Sequence, residues 1–147
     1  MNLKNRKGFT LVEVVIVLTV MALLAVAALP RIINIITQAK KGSRDNIIAA
    51  VREGIMLQKV SSISENAPLG AYPANLDTLP MGGCNVGTGC FVNVLEPGQG
   101  ITDFRWGKAI GGPFGTTYNF MLMGDPAAAS YSYNATNGTL LCVSGAC

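Results

Sequence analysis

Phe9 to Leu29 is an unbroken run of 21 residues in which only Thr10, Glu13 and Thr19 are polar. At 1.5 Å per residue a helix of this length rises about 31 Å, the thickness of a bilayer's hydrocarbon core. Lys4, Arg6 and Lys7 stand before it, and Pro30 and Arg31 close it. Two features are costly in this setting. A carboxylate lies inside a membrane-length stretch, and three cations crowd just ahead of Gly8.

An ionised side chain at mid-bilayer costs about 2.5–3.5 kcal/mol on insertion scales. Glu13 lies four residues beyond Phe9, about 6 Å along the axis, so one reading is snorkelling to the headgroups or loss of its charge by burial. A second reading gives the acid a cation within the apolar layer. A cut after Gly8 would free an α-ammonium at Phe9, with a reference pKa of about 7.7–8.0. That group on one copy could meet Glu13 of its neighbour, so that two costly charges offset each other only in an assembly.

Lys7-Gly8-Phe9-Thr10-Leu11-Val12-Glu13, followed by the apolar run, resembles the leader and mature N-terminus of type IV pilins and the pseudopilins of type II secretion. The resemblance implies that a prepilin peptidase cuts after Gly8 and methylates Phe9, and that Glu13 sets register during assembly. Pro30 falls where many family members carry a proline that loosens or kinks the helix. The implied partners are identical or related pilin subunits in a helical polymer, the prepilin peptidase, an assembly platform protein and ATPase, an outer-membrane secretin and the lipid of the inner membrane. Assembly would then lead to a periplasmic or cell-surface filament.

Ala25-Val26-Ala27 also fits the A-x-A cleavage pattern of a conventional secretory signal. Glu13 interrupts that signal's apolar core, however, and 21 residues exceed the usual core of about 7–15. The mature N-terminus separates the readings: Phe9 for a filament subunit, Ala28 for ordinary secretion, Met1 for a plain anchor.

The net charge of +3 is a property of the leader. Without Lys4, Arg6 and Lys7 the chain has eight basic and eight acidic side chains, so its basic pI gives no argument for nucleic acid. The leader cations favour a cytoplasmic N-terminus with the remainder across the inner membrane, against an opposing pull from Arg31, Lys40 and Lys41. Four cysteines, an even count, fit the oxidising side.

Beyond the apolar run, Ile32, Ile33, Ile36, Ala39, Ile47, Ile48, Val51, Ile55, Val60 and Ile63 recur near helical spacing, with Gln38, Lys41, Arg44, Arg52 and Lys59 assigned to the opposite side. A stop is signalled by Ser64-Glu65-Asn66-Ala67-Pro68. One helix from Phe9 to about Ser64 is expected, kinked or locally melted at Pro30, with residues 47–63 packed under a sheet. Ala71-Tyr72-Pro73 through Pro80 is similar to the pseudopilin loop after the first helix, with Tyr72, Leu76 and Leu79 covering that helix. Met81-Gly82-Gly83 and Gly87-Thr88-Gly89 read as turns. Candidate strands are Phe91–Leu95, Ile101–Trp106, Thr117–Met123, Ser130–Asn134 and Thr139–Val143, the last two joined through the hairpin signal Asn137-Gly138. Tyr131 and Tyr133 share a face, and Trp106 and Phe114 read as core or rim aromatics.

The expected architecture is α+β and pilin-like: a long N-terminal helix, transmembrane in its first half, packed under a small antiparallel sheet. Its parts are a leader (1–8), a membrane and filament-core helix (9–30), an amphipathic continuation (31–64) and a globular head (65–147). Asp125-Pro126 is similar to the Asp-Pro-Trp-Gly stretch near the calcium site of major pseudopilins, but Ala127-Ala128 replaces Trp-Gly. Asp125 therefore reads as a turn residue, with no metal expected.

The chain contains no histidine, which removes Ser-His-Asp and Cys-His nucleophile arrangements and most zinc sites. No enzyme activity and no cofactor are expected. Five residues separate Cys84 from Cys90, wider than the roughly two to four usual in four-cysteine zinc sites, and four separate Cys142 from Cys147, at the upper edge of that range. Local disulfides, Cys84–Cys90 and Cys142–Cys147, are the simplest pairing. A crossed pairing would tie the C-terminal tail to the loop region, resembling the disulfide-bounded loop of many pilins.

Overall fold

The computed structural model describes residues 8–64, 70–78, 80–85, 87, 89–95, 100–110, 112–120 and 124–147. The elements run α1 (Leu11–Ser64), β1 (Gly82–Gly83), β2 (Trp106–Ile110), β3 (Thr116–Phe120), β4 (Ala129–Asn134) and β5 (Thr139–Gly145). This is the α+β pilin-like arrangement: one long N-terminal helix, apolar in its first half, then a five-stranded antiparallel sheet in the order β1-β2-β3-β4-β5. The chain divides into two units, Met1–Thr37 and Gln38–Cys147, with the division inside α1. Lys4, Arg6 and Lys7, the Glu65–Pro68 stop, Leu79 and the end of the expected third strand at 121–123 lie outside the described residues.

In the first unit α1 starts behind Thr10, whose hydroxyl accepts the Glu13 N–H at 3.3 Å. This satisfies one of the donors that a helix start leaves open. The hydroxyls of Thr19 and Thr37 donate to the carbonyls of Ile16 and Ile33 at 2.8 and 3.1 Å, so neither needs an outside partner. The helix runs through Pro30 without a break, and the local melting expected there is absent. Proline removes one donor, but propagation on both sides costs far less than a new nucleation would.

In the second unit α1 turns Ile48, Val51, Gly54 and Ile55 into the core with Leu76, Phe91, Trp106, Tyr118, Phe120, Tyr131 and Tyr133. The expected stripe needs correcting at both ends. Val60 and Ile63 are exposed, because at 3.6 residues per turn Val60 lies roughly 160° round the helix from Arg44. Arg44, assigned from sequence to the polar side, is only 3% exposed. Its guanidinium is taken up by the Ala127 and Ala146 carbonyls and by Asp45. Arg52 donates to the Leu140 carbonyl at 2.9 Å, and Lys59 to the Tyr72 hydroxyl at 2.9 Å. The helix cations thus hold the head together.

Gly54 and Gly42 have opposite roles in α1. A Cβ on Gly54 would stand 1.8 Å from the Val94 carbonyl oxygen, whereas a Cβ on Gly42 would meet nothing within 4 Å. Helix propensity alone favours alanine over glycine by about 1 kcal/mol at either site. Gly42→Ala should therefore stabilise the head by about that much. Gly54→Ala should reverse the sign, destabilising it by about 1–3 kcal/mol through forced backbone displacement. Thermal melting of the tertiary signal of the two variants checks this, and a stabilised Gly54→Ala would refute the packing.

The two hairpin-side strands match their expected positions closely: β4 and β5 pair across residues 135–138, with Gly138 at φ +70°. The expected strand Phe91–Leu95 is instead a turn, in which Val94 and Leu95 N–H groups both donate to the Phe91 carbonyl. Phe91 itself has φ +63°, which no strand accommodates. The expected strand Ile101–Trp106 reduces to a bridge between Ile101 and Cys90, and the real strand begins at Trp106. Gly107 and Lys108 hide it from a hydropathy pattern, since Lys108 points inward to pair with buried Asp77. Gly82–Gly83, expected as a turn, pairs with β2.

Candidate functional site

Every residue from Gly8 to Ile36 is exposed, including Phe9 at 83% and Leu11 at 80%. Isolated soluble chains rarely expose apolar patches beyond a few hundred Å². Among the described residues one helix is long and apolar enough to cross a membrane, and none of its most apolar stretch is buried in the chain. That face requires lipid or other copies of an apolar helix.

The chemistry-bearing positions gather at the start of this helix. Gly8, Phe9 and Thr10 precede α1 in non-helical conformation, and Glu13 lies in its first turn. Thr10 as N-cap with Glu13 three residues later is a capping-box spacing, a local pattern that the cost of the charge masks in the sequence. A carboxylate in the first turn is also favoured by the positive end of the helix dipole. Gly8 is open on every side: a Cβ placed on it would meet no heavy atom within 4 Å. Nothing in the chain's own packing asks for glycine there.

Two polar clusters stand out among the described residues of the head. Asp77, 1% exposed, accepts from Lys108 and, at 2.8 Å, from the Tyr118 hydroxyl, while the Phe91 N–H reaches it at 3.3 Å. Burial, reinforced by the Asp77 charge, drives the Tyr118 phenol far above its ordinary pKa, so it stays a donor. This cluster pins the loop before β1 to β2 and β3. Tyr133 is pushed up to about 12, first by burial and then by Tyr72, and its hydroxyl donates to the Pro73 carbonyl at 2.7 Å. The Tyr72-Pro73 segment is thereby fixed to β4.

The second cluster surrounds the 124–128 turn. Asp125 accepts from the Ala127 N–H at 2.9 Å and from Lys40 at 3.0 Å. The backbone donor first, and Lys40 second, hold its carboxyl below the usual carboxylate range. Asp125 is thus a turn residue tied to α1. Among the described residues no group of histidine, cysteine or acidic side chains is placed to hold a metal. Disulfides join Cys84 to Cys90 and Cys142 to Cys147. The first closes the loop between β1 and the Phe91 turn, and the second folds the C-terminal residues back on β5.

The family model described as the prokaryotic N-terminal methylation motif matches residues 3–29, the type IV pilin and pseudopilin signal. No curated protein and no solved structure matches the chain. The motif points to a structural protein, processed by prepilin peptidase and assembled with other pilins, and fits an inner-membrane anchor that forms a filament.

Proposed function

We propose that this chain is a precursor of a type IV filament subunit. It inserts with its leader in the cytoplasm, loses residues 1–8 to prepilin peptidase, is methylated at Phe9, and passes from the inner membrane into a helical polymer. The observation that carries this reading is the methylation motif seated on an apolar helix that its own fold leaves uncovered. Glu13 pairs with the Phe9 amine of a neighbouring copy and so sets the axial register. The platform protein, ATPase and secretin of such systems are its assembly partners.

A second reading, a pseudopilin of type II secretion, is favoured by the Tyr72-Pro73 loop and its anchorage through Tyr133. The two make the same N-terminal chemistry and differ in where the polymer goes. Edman sequencing and intact mass of the membrane-extracted chain should find N-methylphenylalanine at Phe9. A start at Met1 or Ala28 would overturn both readings. Electron microscopy of sheared surface fibres, with and without this chain, then separates a pilus from an export fibre.

A further inference from the structure

A concavity of about 670 Å³ lies at the end of the sheet where β2 and β4 begin and β3 and β5 finish. Residues directly opposite in an antiparallel ladder share a face. Trp106, Phe120 and Ala129 are such partners and are buried, so their row faces the core. The next row, Gly83, Gly107, Asn119, Ser130 and Ser144, therefore faces outward, and all five line the concavity. The glycines keep its floor low at one side. Across the rest, an amide and two hydroxyls stand on adjacent strands about 4.8 Å apart. None of these three side chains is engaged in a hydrogen bond with another described residue.

The rim is built differently. Phe104 is 72% exposed and has φ +58°, a conformation rare for a bulky residue. It is held there by its N–H to the Cys84 carbonyl at 3.1 Å and by the Asp103 turn, in which the carboxylate accepts from the Arg105 N–H at 3.0 Å and its Nε at 2.8 Å. Phe104 and Arg105 both line the concavity. Core packing gives no reason for an exposed phenylalanine in this backbone state, and such strain is characteristic of ligand-contact positions.

We propose that this concavity binds a saccharide. Its volume suits a small ligand. A sugar ring offers an apolar C–H face to an aromatic side chain, and hydroxyls that both donate and accept to an amide, serines and an Asp–Arg pair. A phosphate or nucleotide fits poorly, because Asp103 already neutralises Arg105. A wholly apolar ligand would strip water from Asn119, Ser130 and Ser144 without replacing its hydrogen bonds, at a net cost. The site belongs to the head alone, so sugar binding there is independent of whether the chain polymerises.

The test uses the full chain in a zwitterionic detergent, since glycosidic detergents would compete. Lactose, maltotriose and chitotriose present galactosyl, glucosyl and N-acetylglucosaminyl ends, and saturation-transfer NMR reads their binding. Transfer to at least one is expected. Phe104→Asn, which tolerates the same backbone conformation, and Asn119→Ala should each weaken that sugar by about ten-fold or more. Leu141→Ser, on the exposed face but outside the concavity, should leave binding unchanged, and matched near-ultraviolet circular dichroism verifies the fold of each variant. No transfer to any of the three, or transfer that survives both rim and floor substitutions, overturns the proposal. So does concentration-dependent self-association that Phe104→Asn abolishes, which would assign the concavity to a second copy.

Discussion

Gly8→Leu should leave the chain as an uncut precursor, with a loss of processing of about 100-fold or more and no filament. The size of the effect follows from how a protease reads its substrate: a side chain that will not enter the site beside the scissile bond removes the productive complex outright. The structure makes the result unusually clean to interpret. Gly8 precedes α1, is exposed, and has open space where a side chain would go. It adopts no conformation reserved for glycine. Leucine at this position costs the fold nothing, so a block must arise in recognition by the peptidase. Immunoblotting for the shift between precursor and mature chain measures it. Normal processing of the variant would show that the bond after Gly8 is not the one cut.

The parts of the fold that can be read from sequence are those in which a local pattern and the tertiary structure agree. The apolar run, the helix to Ser64 and the Asn137-Gly138 hairpin each have a period or a turn requirement visible within ten residues or so. The first strands are illegible for a physical reason. Lys108 sits in the middle of β2 and faces the core, which a hydropathy pattern reads as outside; its pairing with Asp77, 31 residues away, makes that placement tolerable. The Phe91–Leu95 segment looks like a strand by composition, but its N–H is committed to Asp77 and its chain path to the Cys84–Cys90 loop. Arg44 is hidden likewise, since its carbonyl partners lie 83 and 102 residues further along. The candidate site at Gly8, Phe9 and Glu13 is legible because it is written in nearly consecutive residues. The concavity on the sheet is not, because Asn119, Ser130 and Ser144 become neighbours only through strand register.

Glu13→Gln should insert and be processed normally, yet reduce filament yield by about ten-fold or more. The substitution is chosen because Glu13 has two roles that an alanine would remove together. It occupies the third position of a helix capped by Thr10, where glutamine serves nearly as well as glutamate. It also carries the only charge between Phe9 and Leu29. Glutamine keeps the cap and deletes the charge. If capping were the whole role, Glu13→Gln would assemble like the parent and only Glu13→Ala would falter, by the cost of about 1 kcal/mol or less that a weakened helix start carries. If the carboxylate meets a neighbour's Phe9 amine, both variants fail alike. Each subunit then buries an ammonium with no counter-charge, and an unpaired buried charge costs about 3–5 kcal/mol. Repeated at every subunit along the fibre, that penalty outweighs any gain from inserting a neutral side chain, about 2.5–3.5 kcal/mol at mid-bilayer and less near the interface. Quantifying sheared fibres against total mature subunit distinguishes the cases, and parental yields from Glu13→Gln would reduce Glu13 to a capping residue.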